Sequence, residues 1–93
     1  MRVPSHPGRL LRLELEARKL SANRLALDIG VPSGRITEIL SGKRGVSADT
    51  AIRLGLYFGN PPQFWLDLQA NHDLGVALKD RGKQIAARVR PAA

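Results

Sequence analysis

The sequence predicts an all-α fold of five short helices. Three observations lead there. Apolar residues recur at three- and four-residue spacing over most of the chain. Glycine and proline punctuate it at intervals: Pro4, Pro7 and Gly8, then Gly30 to Ser33, Ser41 to Gly45, and Gly59 to Pro62. Valine, isoleucine and threonine never alternate with polar residues over a useful length, so no strand is predicted.

The first helix runs from about Gly8 to Lys19 and offers Leu10, Leu11, Leu13 and Leu15 to a core. The second opens with Ser21 as N-cap and turns Leu25, Ala26 and Ile29 inward. Gly30 ends it, because a residue without Cβ can reverse the chain. The third spans about Ser33 to Ser41, with Ile36, Ile39 and Leu40 on one face. The fourth follows Ser47; Asp49 in its first turn opposes the positive helix end. Its apolar set is Ala51, Leu54, Leu56, Tyr57 and Phe58, and Gly59 stops it. The fifth is predicted to start from Asn60 as N-cap, in an Asn-x-x-Gln capping box with proline at the first helical position. It carries Phe64, Trp65, Leu66 and Leu68.

The amphipathic pattern weakens from about Leu78. One domain is therefore expected over residues 1–78, followed by a basic tail over 79–93 with Lys79, Arg81, Lys83, Arg88 and Arg90. A frayed helix and a disordered arm are both open for that tail.

Fifteen Lys and Arg against eight Asp and Glu leave a formal charge of +7 on 93 residues. Such an excess suits a polyanionic partner as well as simple solubility. There is no cysteine, which excludes disulfides and thiol chemistry. No apolar run approaches a membrane span, and the first eight residues hold no signal-peptide core. The expectation is a cytoplasmic protein without a membrane partner.

Residues 21–42 are the most informative stretch. Two short amphipathic helices flank a tight turn that begins with glycine. Small Ala26 lets them approach closely where they cross. This is the sequence form of a helix-turn-helix. Leu25-Ala26, Gly30, Ile36 and Gly42 occupy the places of the Cro/C1-type (XRE) pattern, which the chain resembles.

The likeness narrows at His6-Pro7-Gly8, Asn23 to Ala26, Arg35 to Leu40, Gly42 to Gly45, Ala48 to Ala51 and Pro62 to Gln69, which look very like HigA-type antitoxins. Phe64-Trp65-Leu66-x-Leu68-Gln69 is the most specific part. The likeness covers about residues 5–78. It implies a five-helix, lambda-repressor-like domain that forms a homodimer, binds double-stranded operator DNA and represses its own operon. It also implies a cognate toxin, a RelE-like ribonuclease that cuts messenger RNA, neutralised by protein–protein binding. A stand-alone repressor without a toxin is the alternative.

With Ile36, Ile39 and Leu40 against the core, Gly34 and Glu38 point outward at about 100° per residue, and Arg35 and Thr37 flank them. Ser33 lies at the helix tip that meets the major groove. Arg35 is the candidate for a base-specific contact, since its fork can donate twice to O6 and N7 of guanine. Glu38 can accept from cytosine N4 or hold Arg35 at i, i+3 spacing. Thr37 suits a thymine methyl or a phosphate, and Gly34 permits close backbone approach. Asn23, Lys43 and Arg44 are candidates for phosphate contacts, which set register and affinity rather than sequence. Pro32 stands where a Ser or Thr cap is usual in the family, so either Ser33 caps the recognition helix or the cap is lost.

Phe64, Trp65 and Leu68 read as core or dimer interface rather than as base-stacking residues. His6 and His72, far apart and without cysteine companions, do not suggest a metal site and read as surface or helix-end residues. Asp67 and Asp73 lack a paired acid for acid–base work, and no phosphate-cradling loop or nucleophile elbow is present. Neither a cofactor nor an enzymatic activity is expected.

Overall fold

A computed structural model describes residues 2–92. Among these the chain forms five helices and no strand: α1 (Pro7–Ala17), α2 (Ala22–Ile29), α3 (Ser33–Leu40), α4 (Ala48–Phe58) and α5 (Pro62–Arg88).

Each boundary has a local cause. His6 caps α1 by accepting the Gly8 N–H on Nδ1 at 2.9 Å. Ser21 caps α2 and Ser47 caps α4, each through its hydroxyl to the N–H three residues on. Gly30 and Gly59 close α2 and α4 in the left-handed conformation. Past α1 that conformation falls on Lys19, at φ 54°, and the Leu20 N–H reaches back to the Leu15 carbonyl at 2.9 Å. This is a Schellman-type ending built without glycine.

The core gathers Leu11 and Leu15 from α1, Leu25, Ala26 and Ile29 from α2, and Ile36 and Ile39 from α3. Val46, Ala51, Leu54 and Trp65 complete it. A fully buried Leu or Ile contributes roughly 1.5–3 kcal/mol against leaving it exposed. Leu13 and Leu56, expected in the core, are 53% and 83% exposed. Each lies two residues from buried leucines, about 200° round its helix. Leu10 and Leu40 are half-buried at the edge.

The expected capping box on α5 does not form. Pro61 is the N-cap and offers no side-chain bond. Asn60 belongs to the end of α4, its N–H bonded to the Gly55 carbonyl at 3.1 Å. Its side chain instead accepts from the Trp65 indole at 2.8 Å, and Gln63 donates forward to Asp67 at 2.8 Å. Gly55 explains how α5 comes so near: a Cβ there would strike the Asn60 carbonyl.

Residues 79–88 continue α5 as its last turns. Lys, Arg, Gln and Ala are good helix formers, and extending a helix already nucleated adds a bond per residue fixed. These turns are exposed except for half-buried Gly82.

Candidate nucleic-acid interface

The helices α2 and α3 form the helix-turn-helix. Their crossing is closed by Leu25, Ala26 and Ile29 against Ile36 and Ile39, all buried. The turn is fixed by Gly30 at φ 74° and by the Val31 N–H bonded back to the Ala26 carbonyl at 3.0 Å. The start of α1 braces α3 from behind. A Cβ at Gly8 would run into the Ile39 carbonyl oxygen, so glycine allows this approach.

Burial of Ile36 and Ile39 turns the opposite face of α3 outward. Ser33, Gly34, Thr37 and Glu38 are exposed there, and Gly34 has open space around it. Pro32 is the N-cap and provides no side-chain bond, so Ser33 is the first helical residue and the cap is lost. The first-turn N–H groups of α3 thus keep no side-chain partner from that position, at the helix end that favours anions. Thr37 Oγ1 donates to the Gly34 carbonyl at 3.0 Å.

Glu38 does not hold Arg35. Its carboxylate faces Arg44, with Nη2 to Oε1 at 3.3 Å. Its backbone carbonyl accepts from the Lys43 and Arg44 N–H groups at 2.9 and 3.2 Å. Gly42, at φ 78°, makes that tight return. The Lys43–Arg44 loop is therefore folded onto the end of α3, with both side chains exposed. Asn23 is exposed at the second position of α2.

Arg35 is half-buried, and its guanidinium lies toward the start of α4, 3.8 Å from Asp49 Oδ1. Asp49 Oδ1 also accepts from Arg53 Nε at 2.7 Å. Arg53 Nη1 in turn donates to the carbonyls of Ile29 and Gly30 at 2.7 and 3.4 Å, at the end of α2. Arg35, Arg44, Asp49 and Arg53 line one polar concavity of about 330 Å³ with Gly30 and Pro32. Sequence reading treated Asp49 as a helix-end charge and passed over Arg53. The i, i+4 spacing of the pair was a usable signal; the reach of Arg53 to the turn was not.

The loop is buttressed by α5. Gln69 Oε1 accepts the Val46 N–H at 2.8 Å and Gln69 Nε2 donates to Asp73 Oδ1 at 2.9 Å. Trp65 is buried in the core, Leu68 packs against it half-buried, and Phe64 is 39% exposed with its ring edge-on to Trp65. His6 and His72, distant in sequence, meet in space, and His72 Nδ1 lies 2.7 Å from the Pro4 carbonyl. Among the described residues no group of three or more His, Asp or Glu is gathered as for a metal ion. No helix among them is long and apolar enough to cross a membrane.

A helix-turn-helix family model matches residues 11–65. Virulence-associated protein I of Dichelobacter nodosus is 47% identical over 77 residues, covering 82% of this chain and 71% of the relative. A HigA-family addiction module antidote protein from Coxiella burnetii superposes with a TM-score of 0.92 at 47% identity, over 98% of this chain and all of the other. The Pseudomonas aeruginosa antitoxin HigA, solved with the higBA promoter, superposes with a TM-score of 0.91 at 41% identity, over 97% of this chain and 99% of that one.

Proposed function

Since this chain belongs to the helix-turn-helix family, and within it to the HigA antitoxins, we propose that it binds operator DNA as a homodimer and represses its own operon. It also neutralises a small mRNA-cleaving toxin by protein–protein contact. The observation that carries this reading is the near full-length likeness to an antitoxin solved with its promoter. The geometry supports it: an outward recognition-helix face beside a loop bearing Lys43 and Arg44, on a chain of charge +7.

In this reading α3 enters the major groove, with Ser33, Gly34, Arg35, Thr37 and Glu38 at the base edges. Asn23, Lys43 and Arg44 hold phosphates on either side. Two copies bind half-sites about one helical turn apart. Every role is one of binding; none requires a catalytic step, a metal or a cofactor. The protein acts in the cytoplasm, where its DNA and its toxin are.

The test has two arms. The first titrates the protein with the duplex lying upstream of its own coding sequence and with an unrelated duplex. Preference for the former by roughly a thousandfold or more is expected; equal affinity would refute the operator role. The second co-expresses the tagged protein with the product of the neighbouring small reading frame. A stable complex that restores growth is expected, and no complex would leave a stand-alone repressor.

A further inference from the structure

We infer that Asp49 is a positioning residue that keeps Arg35 for the bases and withholds it from the phosphates. The inference rests on the DNA-binding reading above and adds a specificity determinant outside the recognition helix.

Arg53, Asp49 and Arg35 form a relay of three charges. Arg53 is fixed at one end by the Ile29 and Gly30 carbonyls, which belong to the turn between α2 and α3. Its Nε holds Asp49 Oδ1 at 2.7 Å, within charge-assisted hydrogen-bond distance. The same oxygen stands 3.8 Å from Arg35 Nη1. That separation is an ion pair but too long for a hydrogen bond. Arg35 is thus attracted without spending a donor, and its fork stays available.

Among the described residues, Asp49 is the only acid lining the concavity that Arg35, Arg44 and Arg53 share. Without it, the guanidinium groups of Arg35 and Arg53 would share one polar hollow with no carboxylate of their own, next to Arg44 held by Glu38 and beside the uncapped start of α3. Such a hollow attracts a phosphate whatever the base sequence. Phosphate contacts raise affinity equally for all sequences, whereas an arginine paired to guanine discriminates. The carboxylate therefore trades general affinity for selectivity.

The experiment uses the full chain. The wild-type protein selects a duplex from a randomised pool. Binding is then measured to that duplex, to versions altered at single base pairs, and to an unrelated duplex of equal length. Asp49→Asn is expected to cut the preference at the position read by Arg35 roughly tenfold and to tighten binding to the unrelated duplex about two- to fivefold. Asp49→Glu is expected to restore both. Arg35→Ala with Asp49→Asn should discriminate no worse than Arg35→Ala alone, because the two act through one contact. The preference is a ratio between duplexes measured on one preparation, and a loss of folded protein would weaken rather than tighten binding to the unrelated duplex, so neither readout is mimicked by it. Wild-type discrimination in Asp49→Asn, or additive losses in the double variant, would overturn the inference alone. Failure of the wild type to enrich any sequence would overturn the operator reading and the inference with it.

Discussion

The imidazole of His6 meets that of His72 edge to face, with ring centroids 5.2 Å apart. The contact ties the residue that caps α1 to the middle of α5. It also has an acid–base consequence, because the His6 cap works only with an unprotonated Nδ1. Burial pushes the His6 pKa below its ordinary 6.5 and the neighbouring His72 pushes it further, against a smaller upward pull from Asp73. The unfolded chain then takes up this proton at a higher pH than the folded one. Stability from this group is complete above about 6.5 and declines as pH falls toward the lowered value. The thermal midpoint should drop from pH 7.5 to 5.5. His6→Asn, which retains a capping oxygen, should flatten that dependence; an unchanged slope would show that other groups set it.

Arg35→Ala should relax selectivity at one base position and cost about 1–3 kcal/mol on the preferred duplex. The measurement is a competition between duplexes differing at single positions. Unaltered affinity together with an unaltered profile would remove Arg35 from the base contacts.

Lys43→Ala should behave differently. It is expected to weaken binding to every duplex by a similar factor and to reduce the slope of log affinity against log salt by about one. A salt titration with matched and unrelated duplexes decides it, and an unaltered slope rejects the phosphate role.

Lys19 holds a positive φ of 54° after α1. A side chain in the left-handed region costs roughly 1–2 kcal/mol, offset in part by the greater freedom glycine has in the unfolded chain. Lys19→Gly should therefore stabilise the domain by about 0.5–1 kcal/mol. Urea unfolding measures the difference; a lower midpoint would mean that the Lys19 side chain makes a compensating contact.

Much of this architecture was legible because its signals are local. Ser21, Gly30, Ser47 and Gly59 mark helix ends through groups within four residues of themselves, and the burial of Ile36 and Ile39 follows from helical period alone. What was missed depends on contacts across the chain. Leu13 and Leu56 look like core until the direction of the neighbouring helix is known. Asn60 sits in a cap pattern, but the end of α4 and the indole of Trp65 claim its two ends. Glu38 has Arg35 at a favourable spacing along α3, yet the return at Gly42 brings Arg44 to it instead. Arg53 offers no hint of its reach to Ile29, 24 residues away.

Gln69, the last residue of the Phe64–Gln69 motif, ties α5 to the loop after α3. One amide group serves two directions at once, accepting from the backbone behind Lys43 and Arg44 and donating to Asp73. Glutamate could not donate the second bond, and asparagine is one methylene shorter. The loop that follows α3 is therefore held from the last helix. A fragment ending with the turn after α4 would keep every residue of the helix-turn-helix and still leave the Val46 N–H without its partner. The smallest self-sufficient unit therefore reaches into α5, which supplies both the buried Trp65 and the partner of Val46.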